Sequence, residues 1–121
     1  MKMLKRNIAL AGATCALLAA TPLRAEISGE NVQQLLSSKN ESTRTLGMSV
    51  IYSTFNGLFW ANVQLGNDSN ALLFCQPVKL AMSAEQSVVI FEQKMKDNPK
   101  MASYPLGMIM LIALKETFPC E

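Results

Sequence analysis

Histidine is absent from this chain of 121 residues. Histidine is the commonest general base and a common metal ligand, so its absence excludes Ser-His-Asp and Cys-His nucleophilic sites. Three cysteines without any histidine leave zinc no plausible ligand set. Glycine-rich phosphate loops are missing too, because Gly66 stands alone before an asparagine and an aspartate. The sequence therefore predicts a protein that is not an enzyme and that holds no cofactor or metal.

The beginning of the chain has the pattern of a secretory signal. Three basic residues in the first six are followed by an apolar or small segment at 8–20, and Ala25 supplies a small residue for cleavage. The apolar segment is shorter than the roughly 20 residues of a membrane-spanning helix. We expect cleavage after Ala25, with a cut after Ala20 as the alternative. The mature chain, residues 26–121, is expected in the periplasm and not in a membrane.

Removal of this signal changes the sign of the net charge. The full chain has 11 basic and 9 acidic residues, but four of the basic ones and none of the acidic ones precede residue 26. The mature chain therefore carries a formal charge of −2. Three lysines cluster at 94–100, yet Glu92 and Asp97 interleave with them, which is typical of a solvated helix end. A nucleic-acid partner is not expected.

Two cysteines, Cys75 and Cys120, remain after cleavage. The third, Cys15, lies in the middle of the apolar signal segment, where lipid attachment is disfavoured. An even pair far apart in the sequence of an exported protein predicts a disulfide, and two free thiols are the alternative. Such a bridge closes a loop of about 45 residues, which the chain-entropy model equates with about 4 kcal/mol.

Apolar residues recur at spacings of three and four, which predicts an all-α fold, a small disulfide-stapled bundle of four to five helices. Ser28-Gly29 supplies an N-cap for a short first helix, and Ser42 or Thr43 an N-cap for a long second one. Gly47 and Gly57 fall inside the second helix. They mark either breaks in it or places where another helix packs closely.

Capping signals locate the other two helices. Ser83 and Gln86 match a capping box, so the third helix begins there and ends near Asn98-Pro99. Pro105 fits the first turn of the fourth helix, where its missing N–H is not needed. Spacing predicts two apolar faces, one formed by Val88, Val89, Phe91 and Met95 and the other by Leu106, Ile109, Met110, Ala113 and Leu114.

Two polar segments are the candidates for contact with a partner, because polar connections between firm helices commonly carry binding residues. The first is a predicted turn at 66–70, after the second helix. The second is the segment 94–104, between the third and fourth helices. The candidate partner-binding residues are Asn67, Asp68, Ser69, Lys94, Lys96, Asp97, Asn98, Lys100, Met101 and Tyr104.

The mature cysteines lie in two motifs. Phe74-Cys75-Gln76-Pro77 precedes the Ser/Gln-capped helix, and Ala113-Leu114-Lys115-Glu116-Thr117-Phe118-Pro119-Cys120 ends the last one. With a Gly/Tyr pattern at Gly47, Tyr52 and Gly57, the region of roughly 45–120 resembles the Rap/Tai family of periplasmic immunity proteins of type VI secretion systems. Many relatives carry a further cysteine where Ser37 and Ser38 stand, so no additional bridge is expected.

The resemblance implies an all-α protein, often dimeric, that binds a peptidoglycan amidase effector and plugs its catalytic cleft. Its expected partners are thus the cognate amidase and a second copy in a homodimer. The family's contact residues are not part of the two motifs and are not transferred. We expect the disulfide to brace the helical hairpin whose tip is the segment 94–104.

Two other functions compete with this interpretation. A periplasmic acid-stress chaperone of the HdeA type is also small, helical and disulfide-closed, and it acts by exposing apolar surface as its carboxylates protonate. The motif pair and the lack of a sharply charged pattern disfavour it. An enzyme of unknown type is disfavoured by the absence of histidine.

Overall fold

The computed structural model describes residues 26–121, and the predicted signal, residues 1–25, lies outside them. An all-α bundle closed by a disulfide is present, which confirms the predicted fold class. Residues 26–121 form no β-sheet, and their one isolated β-bridge joins Ser28 to Pro105. The helices are α1 (Gly29–Leu36), α2 (Glu41–Ser69), α3 (Ala84–Asp97) and α4 (Leu106–Thr117), with a 3-10 helix at Pro99–Ser103.

Two capping boxes fix helix starts, one of them as predicted. The Ser83 hydroxyl accepts from the Gln86 amide at 3.2 Å, and the Gln86 side chain accepts from the Ser83 amide at 2.9 Å. Ser28 and Asn31 form the same reciprocal pair at the start of α1. Each box satisfies two backbone amides that a helix N-terminus otherwise leaves without partners.

The start of α2 differs from the prediction. Asn40 caps this helix, and its side chain accepts from the Thr43 amide at 3.1 Å. Ser42 and Thr43 therefore lie inside the first turn. Asparagine, serine and threonine are all good N-caps, so the sequence contains several adjacent positions at which α2 could begin. In the structure the helix begins after the first of them, Asn40.

The two glycines that the sequence pattern placed inside the second helix have different surroundings. A Cβ at Gly47 would lie 3.0 Å from the Leu35 Cβ, so α1 packs directly against the backbone there. A Cβ at Gly57 would meet nothing within 4 Å. The helix is continuous through both positions, and only Gly47 marks a close helix contact.

The predicted turn at 66–70 is wrong for most of its length. α2 continues through Ser69 and ends only at Asn70, whose left-handed φ of 55° reverses the chain. A Cβ at Gly66 would lie 2.8 Å from a Leu72 methyl carbon, so the returning chain packs on the glycine. Residues 66–69 favour turns in isolation, but here they are helical. The packing of Leu72 on Gly66 stabilises this last part of the helix.

The segment between α2 and α3, which includes residues 71–75, takes no regular structure. It is tied down by the buried side chain of Asn62. That amide donates to the Phe74 carbonyl at 2.8 Å and accepts from the Leu73 amide at 2.6 Å. One side chain thus satisfies backbone groups that an irregular buried segment cannot pair with itself.

The core confirms one predicted face and corrects the other. All five predicted residues of α4 are buried. On α3, Phe91 and Met95 are buried, but Val89 is 63% exposed. Ser87, not Val89, continues the buried row at a spacing of four residues, which leaves the valine on the outer side of the helix.

The bundle has two distinct ends. At one, here called the 3-10 end, Met95, Lys96 and Pro99 lie beside Leu36 of α1. At the other, the disulfide end, Cys75 and Cys120 are bonded with Cα atoms 5.0 Å apart. No helix in residues 26–121 is both long and apolar enough to cross a bilayer.

Candidate functional site

The two predicted partner-binding segments lie at opposite ends of the bundle. Residues 67–69 follow Asn62 on α2, which reaches the chain beside Cys75 at the disulfide end. The segment 94–104 lies at the 3-10 end, next to α1. The two segments therefore do not form one continuous binding site.

The first segment is helical rather than a loop. Asn67, Asp68 and Ser69 form the last turn of α2 and are exposed. The Asp68 carboxylate accepts from Gln64 at 2.9 Å, and the Ser69 hydroxyl donates to the Leu65 carbonyl at 3.0 Å. These bonds run along the helix, so this turn is a polar helix end and not a protruding loop.

Two residues of the second segment are not available on the surface. Met101 is 4% exposed and belongs to the core. The Lys94 ammonium lies 2.7 Å from both carboxylate oxygens of Glu116, and its side chain is only 10% exposed. Both were predicted to contact a partner. The structure instead gives them internal contacts, since α4 supplies the glutamate 22 residues further along the chain.

The remaining residues of that segment are all exposed and are here called the 3-10 surface: Lys96, Asp97, Asn98, Lys100 and Tyr104. A groove of about 730 Å³ opens beside it, between α1 and α3, with Glu30, Glu92 and Lys96 among its lining residues. Tyr104 is half-exposed and lies immediately before α4. Tyrosine is enriched at protein–protein interfaces and among the residues that contribute most of the binding energy, whereas lysine is common only at their polar rims.

A second candidate surface lies at the disulfide end, and no sequence pattern predicted it. The turn Pro77–Leu80 is closed by a hydrogen bond from the Leu80 amide to the Pro77 carbonyl at 2.9 Å. Val78 at its tip is fully exposed, and Lys79 beside it is exposed as well. The sequence Pro77-Val78-Lys79 shows no hydrophobic periodicity, so it does not differ from an ordinary loop sequence. Only its position in space identifies it.

Shallow grooves surround this turn, and Leu80 lines three of them. The groove toward α3, here called the Val89 groove, has a volume of about 310 Å³. Its lining is almost entirely non-polar, and Glu85 and Gln86 stand at its edge. The lining side chains are Leu80, Met82, Glu85, Gln86, Val89, Ile90 and Phe118.

The disulfide supports the base of this turn. Cys75 is bonded to Cys120, and its amide donates to the Phe118 carbonyl at 2.8 Å. The Gln76 side-chain amide donates to the Leu80 carbonyl at 2.5 Å. The predicted brace is therefore real, but it holds the open end of the α3–α4 hairpin and the adjoining turn, at the end opposite to 94–104.

One carboxylate has a shifted pKa. Hydrogen bonds from its own backbone amide and from the Ser83 hydroxyl lower the pKa of Glu85 below its ordinary value. Glutamate is ionised at neutral pH in any case, and the lowered pKa keeps this side chain charged in more acidic solution than usual. No group of acidic and cysteine residues in the range 26–121 is arranged to hold a metal ion.

The structure thus offers two candidate surfaces for a partner, one at each end of the bundle. Polar and aromatic side chains cover the 3-10 surface, and non-polar side chains surround the turn at the disulfide end. Comparisons with family models, with curated proteins and with solved structures found no match.

Proposed function

We propose that this chain is an exported periplasmic immunity protein, which binds a peptidoglycan amidase effector of type VI secretion and occludes its active site. It works without a catalytic group of its own, and as a homodimer. The 25-residue signal directs it to the compartment in which the amidase acts.

One observation carries the proposal: the two motifs that suggested the family meet in space. Phe74-Cys75 and Phe118-Pro119-Cys120 are separated by some 40 residues of α3 and α4. They are joined by the disulfide and by the hydrogen bond between the Cys75 amide and the Phe118 carbonyl. A motif pair that forms one structural unit in an all-α bundle supports the resemblance better than either motif alone.

Occlusion requires a rigid surface, and core and backbone contacts hold the 3-10 surface in place. The segment from Pro99 to Ser103 is a regular 3-10 helix with Met101 inserted into the core. Backbone hydrogen bonds join its end to the start of α1, from the Gly29 amide to the Tyr104 carbonyl at 3.0 Å. A surface held in place before binding loses little entropy when the complex forms.

The acid-stress chaperone is the alternative, and the ion pairs argue against it. Within residues 26–121 one salt bridge is present, between Lys94 and Glu116. Acid can therefore release few contacts of this kind. A chaperone activated by carboxylate protonation needs many such contacts between its elements.

The test is co-expression with a periplasmically targeted amidase of such a system. The wild-type chain should prevent lysis and elute with the amidase from a sizing column. Lys96→Glu combined with Tyr104→Ala should weaken the complex at least tenfold, which corresponds to about 1.4 kcal/mol. Lys115→Glu, at an exposed lysine in the last turn of α4 and so at the opposite end of the bundle, is the matched control.

Two outcomes would overturn this proposal. If cells lyse regardless of the wild-type protein and no complex elutes, immunity fails. If the protein instead prevents aggregation of a client in strong acid, the chaperone takes its place. Full binding by the Lys96/Tyr104 variant would reject the 3-10 surface while leaving immunity intact.

A further inference from the structure

Several non-polar side chains are exposed at the disulfide end. Val78 is fully exposed, Val89 is 63% exposed and Leu72 is 44% exposed. Leu72 and Val78 line one groove, and Leu80 connects that groove with the Val89 groove. Contiguous exposed non-polar patches of this kind commonly mark an interaction site.

The shape of this end contains both a projection and a recess. Val78 projects from the turn, and the Val89 groove lies on the α3 side of the same turn. At about 310 Å³ the groove has room for an aliphatic side chain, and it is at the lower limit of small-ligand pockets, about 300 Å³. Its non-polar lining suits a side chain such as valine.

The charges beside the projection and the recess are opposite. Lys79 follows Val78 on the turn, and Glu85 stands at the edge of the Val89 groove. Residues 26–121 contain one salt bridge, which joins Lys94 to Glu116. Lys79 and Glu85 therefore have no oppositely charged partner within this range. Each is available to a group on another molecule.

The turn is also preorganised. The disulfide, the Leu80–Pro77 backbone hydrogen bond and the Gln76 side chain hold it from three directions. A projection that is already rigid avoids most of the ordering cost of association.

From these observations we propose that the disulfide end is a self-association surface. Val78 of one copy enters the Val89 groove of a second copy, and Lys79 of the first pairs with Glu85 of the second. Because the projection and the groove are neighbours on one face, a two-fold axis between them lets each copy give and receive the same contact. The inference rests on the homodimer of the proposed function and is independent of amidase binding.

The proposed interface is tested by sedimentation equilibrium of the disulfide-bonded mature protein. Val78→Asp should raise the dimer dissociation constant at least tenfold, because it places a carboxylate in a non-polar groove beside Glu85. Lys79→Glu and Glu85→Lys should each weaken the dimer, and the two together should restore it. Lys39→Glu and Glu30→Lys, far from the turn, are the controls for the charge changes.

Trp60 provides a second measurement, because it is the single tryptophan of the chain. Its ring packs edge-on against Phe59 at 5.4 Å, and Phe59 lines two of the grooves around the turn. Its emission should change with protein concentration in the wild type and remain constant in Val78→Asp. Far-UV circular dichroism confirms that each variant is folded, since all the substituted residues are exposed.

The outcomes separate this interface from the rest of the proposal. A dimer that is insensitive to Val78→Asp and to the Lys79/Glu85 exchange overturns the interface and leaves the homodimer standing. A wild-type protein that sediments as a monomer at every concentration overturns both, while immunity is judged by the lysis experiment alone.

Discussion

At the scale of single residues, Asn62 shows how one side chain positions a functional region. It is buried on α2, and its amide pairs with the backbone of Leu73 and Phe74. These bonds fix the chain immediately before Cys75 and therefore the approach to the Pro77–Leu80 turn. An asparagine within a helical pattern gives no indication of such a role.

Asn62→Ala should lower the free energy of unfolding by about 2–3 kcal/mol, because it leaves the Phe74 carbonyl and the Leu73 amide without partners. Urea unfolding measures the effect. Asn67→Ala, also on α2 but exposed, is the control and should change stability very little. Equal losses in the two variants would contradict the role given to Asn62.

Lys94 and Met101 are residues whose type suggested a binding role that the structure does not give them. A lysine and a methionine in a polar segment are reasonable candidates for a partner surface. Here Glu116 of α4 binds the lysine, and the core takes the methionine. Both assignments depend on helices that are distant in sequence, so residue type alone could not decide them.

At the scale of the elements, α2 is the scaffold on which the others are arranged. Its 29 residues run from Asn40, the N-cap, to the left-handed Asn70. α1 packs on it at Gly47, and the returning chain packs on it at Gly66. Of the three glycines in α2, Gly47 and Gly66 are therefore positions of close packing, whereas Gly57 lies on an open surface.

Gly47 and Gly57 provide a matched pair of substitutions. Gly57→Ala should raise the free energy of unfolding by about 1 kcal/mol, the gain in helix propensity at an exposed interior position. Gly47→Ala brings the same propensity gain, but the new methyl group lies 3.0 Å from the Leu35 Cβ. That carbon cannot move without the α1 backbone, so a net loss of about 1–2 kcal/mol is expected from overpacking.

Thermal and urea unfolding of the two variants distinguish these effects. A stabilising Gly47→Ala would mean that α1 is free to shift away from α2. A destabilising Gly57→Ala would mean that something covers this surface in solution.

At the scale of the whole molecule, the disulfide closes the bundle where its helices would otherwise separate. It joins residues 45 apart in sequence and encloses α3, the 3-10 helix and α4. The 3-10 end is held differently, by backbone hydrogen bonds between the start of α1 and the start of α4. The two proposed binding surfaces thus depend on different stabilising contacts.

Replacing both cysteines, Cys75→Ser with Cys120→Ser, should lower the free energy of unfolding by about 4 kcal/mol for a loop of this length. Reduced wild-type protein should behave like the double variant in urea. The disulfide-end dimer should weaken in both, while the 3-10 surface should keep its affinity wherever the protein stays folded. A loss below about 1 kcal/mol would show that the loop-entropy account of this bridge is wrong.

The sequence by itself determined the features that depend on near neighbours in the chain. The Ser83–Gln86 box, the end of α3 near Asn98 and the buried row of α4 follow from capping chemistry and helical spacing, which act within a few residues. The parity of the mature cysteines predicted the disulfide, since a bridge needs only two thiols and an oxidising compartment.

Only the tertiary structure decided the features that depend on distant contacts. The predicted turn at 66–70 became helix because Leu72 returns to pack on Gly66, and Val89 became exposed because Ser87 faces the core. The Pro77–Leu80 turn became a candidate surface because Asn62 and Cys120, from other parts of the chain, hold it outward. Which residue projects and which is covered is set by such non-local packing, and no local pattern records it.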